Sequence, residues 1–229
     1  MAKKNAQELT KERLAEACRE YGLECFLQSD ESLHGLFVYL GQLMKWNRVM
    51  NLVGKSCWDE ALRILIADSA HLLPFITTLQ KNNLLSEEPI TWDLGAGAGL
   101  PGIPLRLVWQ DGHYTLVDSR EKRTLFLKTV LAAHPFGNTD VVQARVEHFF
   151  PTQPQANMII SRAFMPWEQV LGLVSPYVIE RGLVVFLALT PAPQAHTVLE
   201  TRSRWKCVQE EQYSIGKDER YLWAMQLEG

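Results

Sequence analysis

Three alternating glycines, Gly95, Gly97 and Gly99, lie between Asp93 and the pair Pro101-Gly102, just after an apolar run and just before a helical one. Residues without a Cβ let a backbone turn tightly and approach a ligand closely, so this loop is the first candidate for chemistry. Gly97-x-Gly99-x-x-Gly102 formally satisfies the dinucleotide fingerprint, with Asp118 at a distance usable for a ribose hydroxyl. Two residues weigh against a pyrophosphate. Asp93 would place a carboxylate at the strand tip, repelling phosphate and attracting a cation. Pro101 removes one N–H from the helix start, where an anion would seek donors. S-adenosylmethionine carries a sulfonium and an ammonium group and no phosphate, and it suits a carboxylate-edged glycine loop. Asp118 would accept hydrogen bonds from its ribose diol, or cap the helix ahead of Ser119-Arg120, or both.

Other chemistries lack their residues. No G-x-S-x-G elbow and no G-x-x-x-x-G-K-[ST] loop occurs, which disfavours serine hydrolase and P-loop NTPase readings. After the fourth apolar run the chain reads Ser161-Arg162-Ala163-Phe164, not the Asn/Asp-Pro-Pro-aromatic motif of exocyclic-amine methylation. No Pro-Cys dipeptide is present for cytosine-C5 chemistry. The cysteines Cys18, Cys25, Cys57 and Cys207 are scattered, and the histidines show no metal spacing. No metal is expected, and the thiols read as reduced.

The elements that must carry the loop follow from periodicity. Leu33, Leu36, Phe37, Leu40, Leu43 and Met44 recur at helical spacing and predict a helix over roughly 30–47. Ser56-Cys57-Trp58-Asp59 resembles a capping box opening a further helix through Ala61, Leu62, Leu65 and Ile66, and a weaker helix is expected over roughly 6–20. From residue 90 the rhythm changes. Ile90–Leu94, Tyr114–Val117, Val141–Val142, Met158–Ile160 and Leu183–Leu187 read as buried strands, with helices near 102–110, 120–133, 146–150 and 167–177 between them. Such alternation predicts an α/β fold, a parallel sheet covered by helices on both faces. A polar helix near 194–203 is expected next, then strands around Lys206–Tyr213 and Arg220–Leu227 joined as an antiparallel hairpin. Five parallel strands with a terminal hairpin describe a Rossmann-like methyltransferase layout better than a dehydrogenase. The expected division is a helical extension, residues 1–70, packed on a methyltransferase domain, residues 71–229.

Composition sets the outer bounds. The 229 residues, 47% hydrophobic and 21% charged, suffice for one domain with an appendage and a substantial core. The apolar run Leu183–Leu189 is far short of the ~20 residues a bilayer requires, and the first residues, Met1-Ala2-Lys3-Lys4, show no apolar signal region. A cytoplasmic protein without a membrane partner is expected. A net charge of −3 means that any RNA must be met by a local basic face, for which Lys45, Arg48, Lys55, Lys122, Arg123 and Lys128 are candidates.

Asp93–Gly102, Leu116-Val117-Asp118-Ser119 with Lys122-Arg123 and Phe126-Leu127, Arg145-Val146-Glu147, and Ser161-Arg162-Ala163-Phe164 appear in this order, preceded by Trp46-Asn47 and Asn51-Leu52. From Leu36 to Phe164 the chain closely resembles the bacterial 16S ribosomal RNA guanine-N7 methyltransferase family, RsmG or GidB. The resemblance implies a class I S-adenosylmethionine-dependent methyltransferase fold with an N-terminal helical extension. It implies methylation of guanine N7 in 16S rRNA or the small ribosomal subunit; a monomer is expected, and the alternative is a non-catalytic RNA-binding relative that retains the cofactor pocket. Carried over by position, the cofactor contacts fall on Gly95, Leu100, Val146, Glu147 and Arg162, beside Asp93, Gly97 and Asp118 from the loop reading. Lys122 and Arg123 are the expected RNA contacts. The chain departs from the family twice. Ile64-Leu65 stands where an Arg-His pair is usual, and Ala188-Leu189 where a Lys-Gly pair is. N7 is an unprotonated lone-pair acceptor, so no general base is expected, and alignment and exclusion of water are the protein's work.

Overall fold

The computed structural model describes residues 8–134, 136–193 and 204–228. Its helices are α1 (Lys11–Glu20), α2 (Asp30–Met50), α3 (Trp58–Ala61), α4 (Ala67–Lys81), α5 (Gly102–Arg106), α6 (Glu121–Ala133), α7 (Val146–Phe149) and α8 (Trp167–Val174). Its strands are β1 (Ile90–Leu94), β2 (His113–Asp118), β3 (Thr139–Gln143), β4 (Ala156–Arg162), β5 (Val178–Ala188), β6 (Trp205–Ile215) and β7 (Asp218–Leu227). They form one seven-stranded sheet in the order β3-β2-β1-β4-β5-β7-β6. Strands β1 to β5 pair in parallel, and β7 lies antiparallel to both β5 and β6. This is the expected α/β layout with its terminal hairpin. The expected polar helix near 194–203 lies outside the described residues.

Each face of the sheet has its own core. Leu36, Tyr39 and Leu43 of α2 pack with Leu116, Phe126 and Leu127 on one face. Trp92, Leu94 and Val117 pack with Phe149, Val170 and Trp223 on the other. Alternation along β1 therefore sends Trp92 and Leu94 to one side and Asp93 to the opposite one.

The helical region before the sheet differs most from expectation. α2 continues to Met50 and stops where Asn51 adopts a left-handed conformation, φ 48°, its N–H donating to the Asn47 carbonyl. The expected capping box does not form, because Cys57, not Ser56, is the cap, and it makes no side-chain hydrogen bond. A π-turn over Leu62–Ile66 then links α3 to α4. The 24-residue stretch Trp58–Lys81 is long and apolar enough to cross a membrane by length and composition. Here half of its apolar window is buried inside the protein, with Leu72, Phe75, Ile76 and Leu79 in the core. One inserted residue rotates the following helix by about 100°. Asp68 and Ser69 consequently point inward, in line with Leu72. The boundary expected between residues 70 and 71 falls inside α4.

Candidate active site at the carboxyl edge of the sheet

Strand order reverses between β1 and β4, since β2 and β3 extend to one side and β4 and β5 to the other. At such a switch point the loops leaving adjacent strands diverge and open a crevice. A cavity of about 500 Å³ lies there. Gly95 follows β1, Asp118 ends β2, Ala144 to Glu147 follow β3, and Ala163 to Met165 follow β4; all of them line it. Ser119, Arg120 and Arg123 complete the wall from the start of α6.

The glycine loop is tied to β2. Gly95, Gly97 and Gly99 have φ values of 70°, 57° and 78°, a region closed to most side chains. The Gly95 and Ala96 N–H groups both donate to the Val117 carbonyl, at 2.9 and 3.0 Å. The Gly97 N–H donates to Asp118 Oδ2 at 3.0 Å, and the Gly99 N–H to the Ala96 carbonyl at 2.7 Å. Tyr39 of α2 donates its hydroxyl to the Ala98 carbonyl at 2.8 Å, fixing the loop from below. The donors that would cradle a pyrophosphate are thus committed within the protein.

Asp93 is not at the cavity. It is 1% exposed and points under α5, where Tyr114 donates to its Oδ2 at 3.1 Å and the Gly102 N–H also bonds it. Burial pushes its carboxyl up to about 7, against the lowering effect of those two donors and of Arg162. A Cβ on Gly102 would stand 2.5 Å from Asp93 Oδ2, so glycine is required there for close packing. The expectation that Asp93 faces the ligand and repels phosphate is therefore corrected. It braces the loop because its strand register turns it to the α5 face. The case against a pyrophosphate rests on the occupied loop donors.

The remaining expected residues separate into two groups. Gly95, Asp118, Val146 and Glu147 come together on the cavity wall. Leu100 is packed in the core cluster, and Gly97 acts through its bond to Asp118. Arg162 is not part of the lining. Its guanidinium pairs with Asp68 at 2.8 Å, and Tyr213 donates to the same carboxylate at 2.9 Å. Arg123 leaves the outer surface expected of an RNA contact and turns inward, 3.5 Å from Asp118 Oδ2. Lys122 stays exposed. Lys55 is paired with Glu60 at 3.1 Å. Sequence reasoning missed Arg120, Ala144 and Met165 as wall residues, and Asp68 as the partner of Arg162. Only strand register could have revealed the first three. Asp68-Ser69 interrupting an apolar helix was the available signal for the last.

Asp118 serves several partners at once. Besides Gly97, the Arg120 N–H donates to its Oδ1 at 2.8 Å, in the turn before α6. The expected cap does not form, since Arg120 is the residue that caps α6 and it makes no side-chain hydrogen bond; a carboxylate offers about four acceptor positions, so these two bonds leave room for a ribose diol. No histidine, cysteine, lysine or tyrosine lines the cavity, and no group of three or more metal-ligating side chains occurs among the described residues. At the departures from the resembled family, Arg63 is exposed beside Gly216, and Leu189 projects into solvent at the end of β5.

Residues 33–221 match the profile of the GidB family, described as rRNA small subunit methyltransferase G. A ribosomal RNA small subunit methyltransferase G from Nitratidesulfovibrio vulgaris (strain DP4) is 44% identical over 95% of this chain and 94% of its own. The corresponding protein of Oleidesulfovibrio alaskensis is 43% identical over 91% of this chain and 90% of its own. Among solved structures, a ribosomal protein L11 methylase from Lactobacillus delbrueckii subsp. bulgaricus superposes with a TM-score of 0.51 at 10% identity, covering 69% of this chain and 80% of that one. That likeness is one of fold, the class I methyltransferase fold.

Proposed function

The chain belongs to the rRNA small subunit methyltransferase G family, and from that premise we propose that it transfers a methyl group from S-adenosylmethionine to N7 of a guanine in 16S rRNA. The observation carrying the cofactor reading is the glycine loop, whose Gly95, Ala96, Gly97 and Gly99 N–H groups are all committed inside the protein beside the Asp118 carboxylate. A phosphate-bearing dinucleotide would find those donors spent, whereas a cationic nucleoside finds the Asp118 and Glu147 carboxylates on the wall.

When bound, the cofactor supplies an electrophilic methyl group on a positively charged sulfur. The residues that would hold it are Gly95 by close backbone approach, Asp118 at the ribose diol, and Val146 with Glu147 at the adenine. Val146 offers a buried apolar surface and Glu147 an exposed acceptor. Ala163, Phe164 and Met165 close the opposite side. Ala163 has a φ of 51°, and this turn lays the Phe164 ring over Gly95, where a Cβ would stand 2.7 Å from the ring. The ring excludes water and walls the approach of a base.

Guanine N7 has no proton to lose, so the cavity needs no base. At the tip of β4, Ser161 is buried and Arg162 is engaged by Asp68. The work of the site is alignment, in which orientation alone can supply much of the rate. In A-form RNA the deep major groove hides N7, so the target guanine lies in an unpaired or irregular segment. A chain acting on rRNA works in the cytoplasm, as a monomer without a metal or membrane partner.

Nucleoside mass spectrometry of 16S rRNA incubated with the protein and methyl-labelled S-adenosylmethionine tests this reading. Label is expected in N7-methylguanosine. Label in another nucleoside, or none, would overturn it.

A further inference from the structure

The motif Trp46-Asn47 with Asn51-Leu52 has no part in the cavity described above, yet it is built with care. Asn47 donates its side-chain amide to the Lys55 carbonyl at 2.7 Å and accepts the Val53 N–H at 2.8 Å. Together with the left-handed Asn51 this fixes the turn that ends α2 beside the start of α6. A groove runs between the two helices. Val49, Met50, Trp46 and Leu125 give it an apolar floor, with Lys45 and Lys122 on its rim. Val49 is 84% exposed and Leu125 53%, and these are two of the three large hydrophobic residues exposed among the described ones. Trp46 is held edge-on against Phe126 at 5.9 Å, which fixes its ring.

The groove is continuous with the active site. A middle section is lined by Val49, Met50 and Lys122 from the groove and by Arg120 and Arg123 from the cavity wall, with Glu121 between them. Lys45, Arg48, Arg120 and Lys122 form no ion pair among the described residues, although the chain as a whole is acidic. Unneutralised cations over an apolar floor match a single-stranded nucleotide, whose base stacks on the floor while its phosphate meets the rim.

We propose that this groove receives a nucleotide flanking the target guanine and thereby sets the register of the RNA strand. The inference rests on the rRNA methyltransferase reading. Cations on the groove rim and on the wall it shares with the methyl-transfer cavity favour RNA over a protein partner.

The test compares the parent with Val49→Glu, Leu125→Glu and Lys122→Ala, measuring affinity for protein-free 16S rRNA across a salt series and, separately, affinity for S-adenosylmethionine. Val49 and Leu125 are mostly exposed, so the substitutions do not disturb the core. Both glutamate variants are expected to bind RNA about tenfold or more weakly, with cofactor affinity within a factor of two. Lys122→Ala should flatten the log–log salt slope by about 0.7. RNA affinity equal to the parent's in both glutamate variants would overturn the proposal. So would a loss seen only on assembled small subunits, which would make the occupant a ribosomal protein. Failure of the parent to form N7-methylguanosine would sink the catalytic reading alone, because the binding comparison does not depend on turnover.

Discussion

The Arg162 guanidinium stands 2.8 Å from the Asp68 carboxylate, so the tip of β4 is held by the first turn of α4. Tyr213 of β6 donates to the same carboxylate at 2.9 Å, and His71 stacks on Tyr213 with ring centroids 4.2 Å apart. Ser69, next along the helix, donates to the Pro101 carbonyl at 3.1 Å. One inward-turned pair of α4 residues thus joins the glycine loop, the fourth strand and the terminal hairpin.

Asp68→Asn is expected to destabilise the fold by about 3 kcal/mol, because it leaves the partly buried Arg162 cation unpaired while keeping an acceptor for Tyr213. Urea unfolding at neutral pH measures it. A loss below about 1 kcal/mol would mean that solvent already screens the pair.

Asp118→Ala should weaken S-adenosylmethionine binding by roughly ten- to a hundredfold, from the loss of about 1.5–3 kcal/mol of charge-assisted hydrogen bonding. The bond to the Gly97 N–H goes with it, so the loop loosens as well. Asp118→Asn retains a carbonyl for one of the two N–H groups and is expected to fall between parent and alanine variant in calorimetric titration. An alanine variant that binds as the parent does would reduce Asp118 to a brace of the glycine loop and of the turn before α6.

Asp93 makes stability depend on pH with a definite sign. Its carboxyl is raised to about 7 in the fold, mainly by burial, while in the unfolded chain it titrates near its ordinary value of 3.8. The folded state therefore holds one more proton between those values, and its contribution is full below about pH 4 and lost as pH rises to 7, at about 1.4 kcal/mol per unit. Asp93→Asn cannot ionise. The stability of the variant relative to the parent should climb from pH 5 to pH 7 and then level off, in unfolding curves taken across that range. A constant difference would show that Asp93 is ionised throughout.

The chemical step should show no comparable limb. With RNA and cofactor saturating, the single-turnover rate is expected to stay nearly level from about pH 6.5 to 8.5, since no histidine or cysteine lines the cavity and N7 releases no proton. A tenfold rise in the saturated rate across that window, abolished by mutating one histidine or cysteine, would overturn the base-free mechanism.

By itself the sequence determined the layered α/β architecture, the five parallel strands, the closing hairpin and the glycine loop, because these arise from local periodicity and from glycine's freedom at positive φ. It also indicated Asp118 from its place at the end of a strand, while Val146 and Glu147 came from the resemblance to the methyltransferase family. Tertiary structure alone decided which way each side chain faces. Asp93 lies one place before the strand's last residue, and pleating turns it away from the cavity under α5. Arg123 sits on a helix whose charged residues look uniformly solvated in sequence, yet its turn brings it to Asp118. Asp68 became the partner of Arg162 through a π-turn that no periodicity announces, where one extra residue rotates a helix face and exchanges solvent for core.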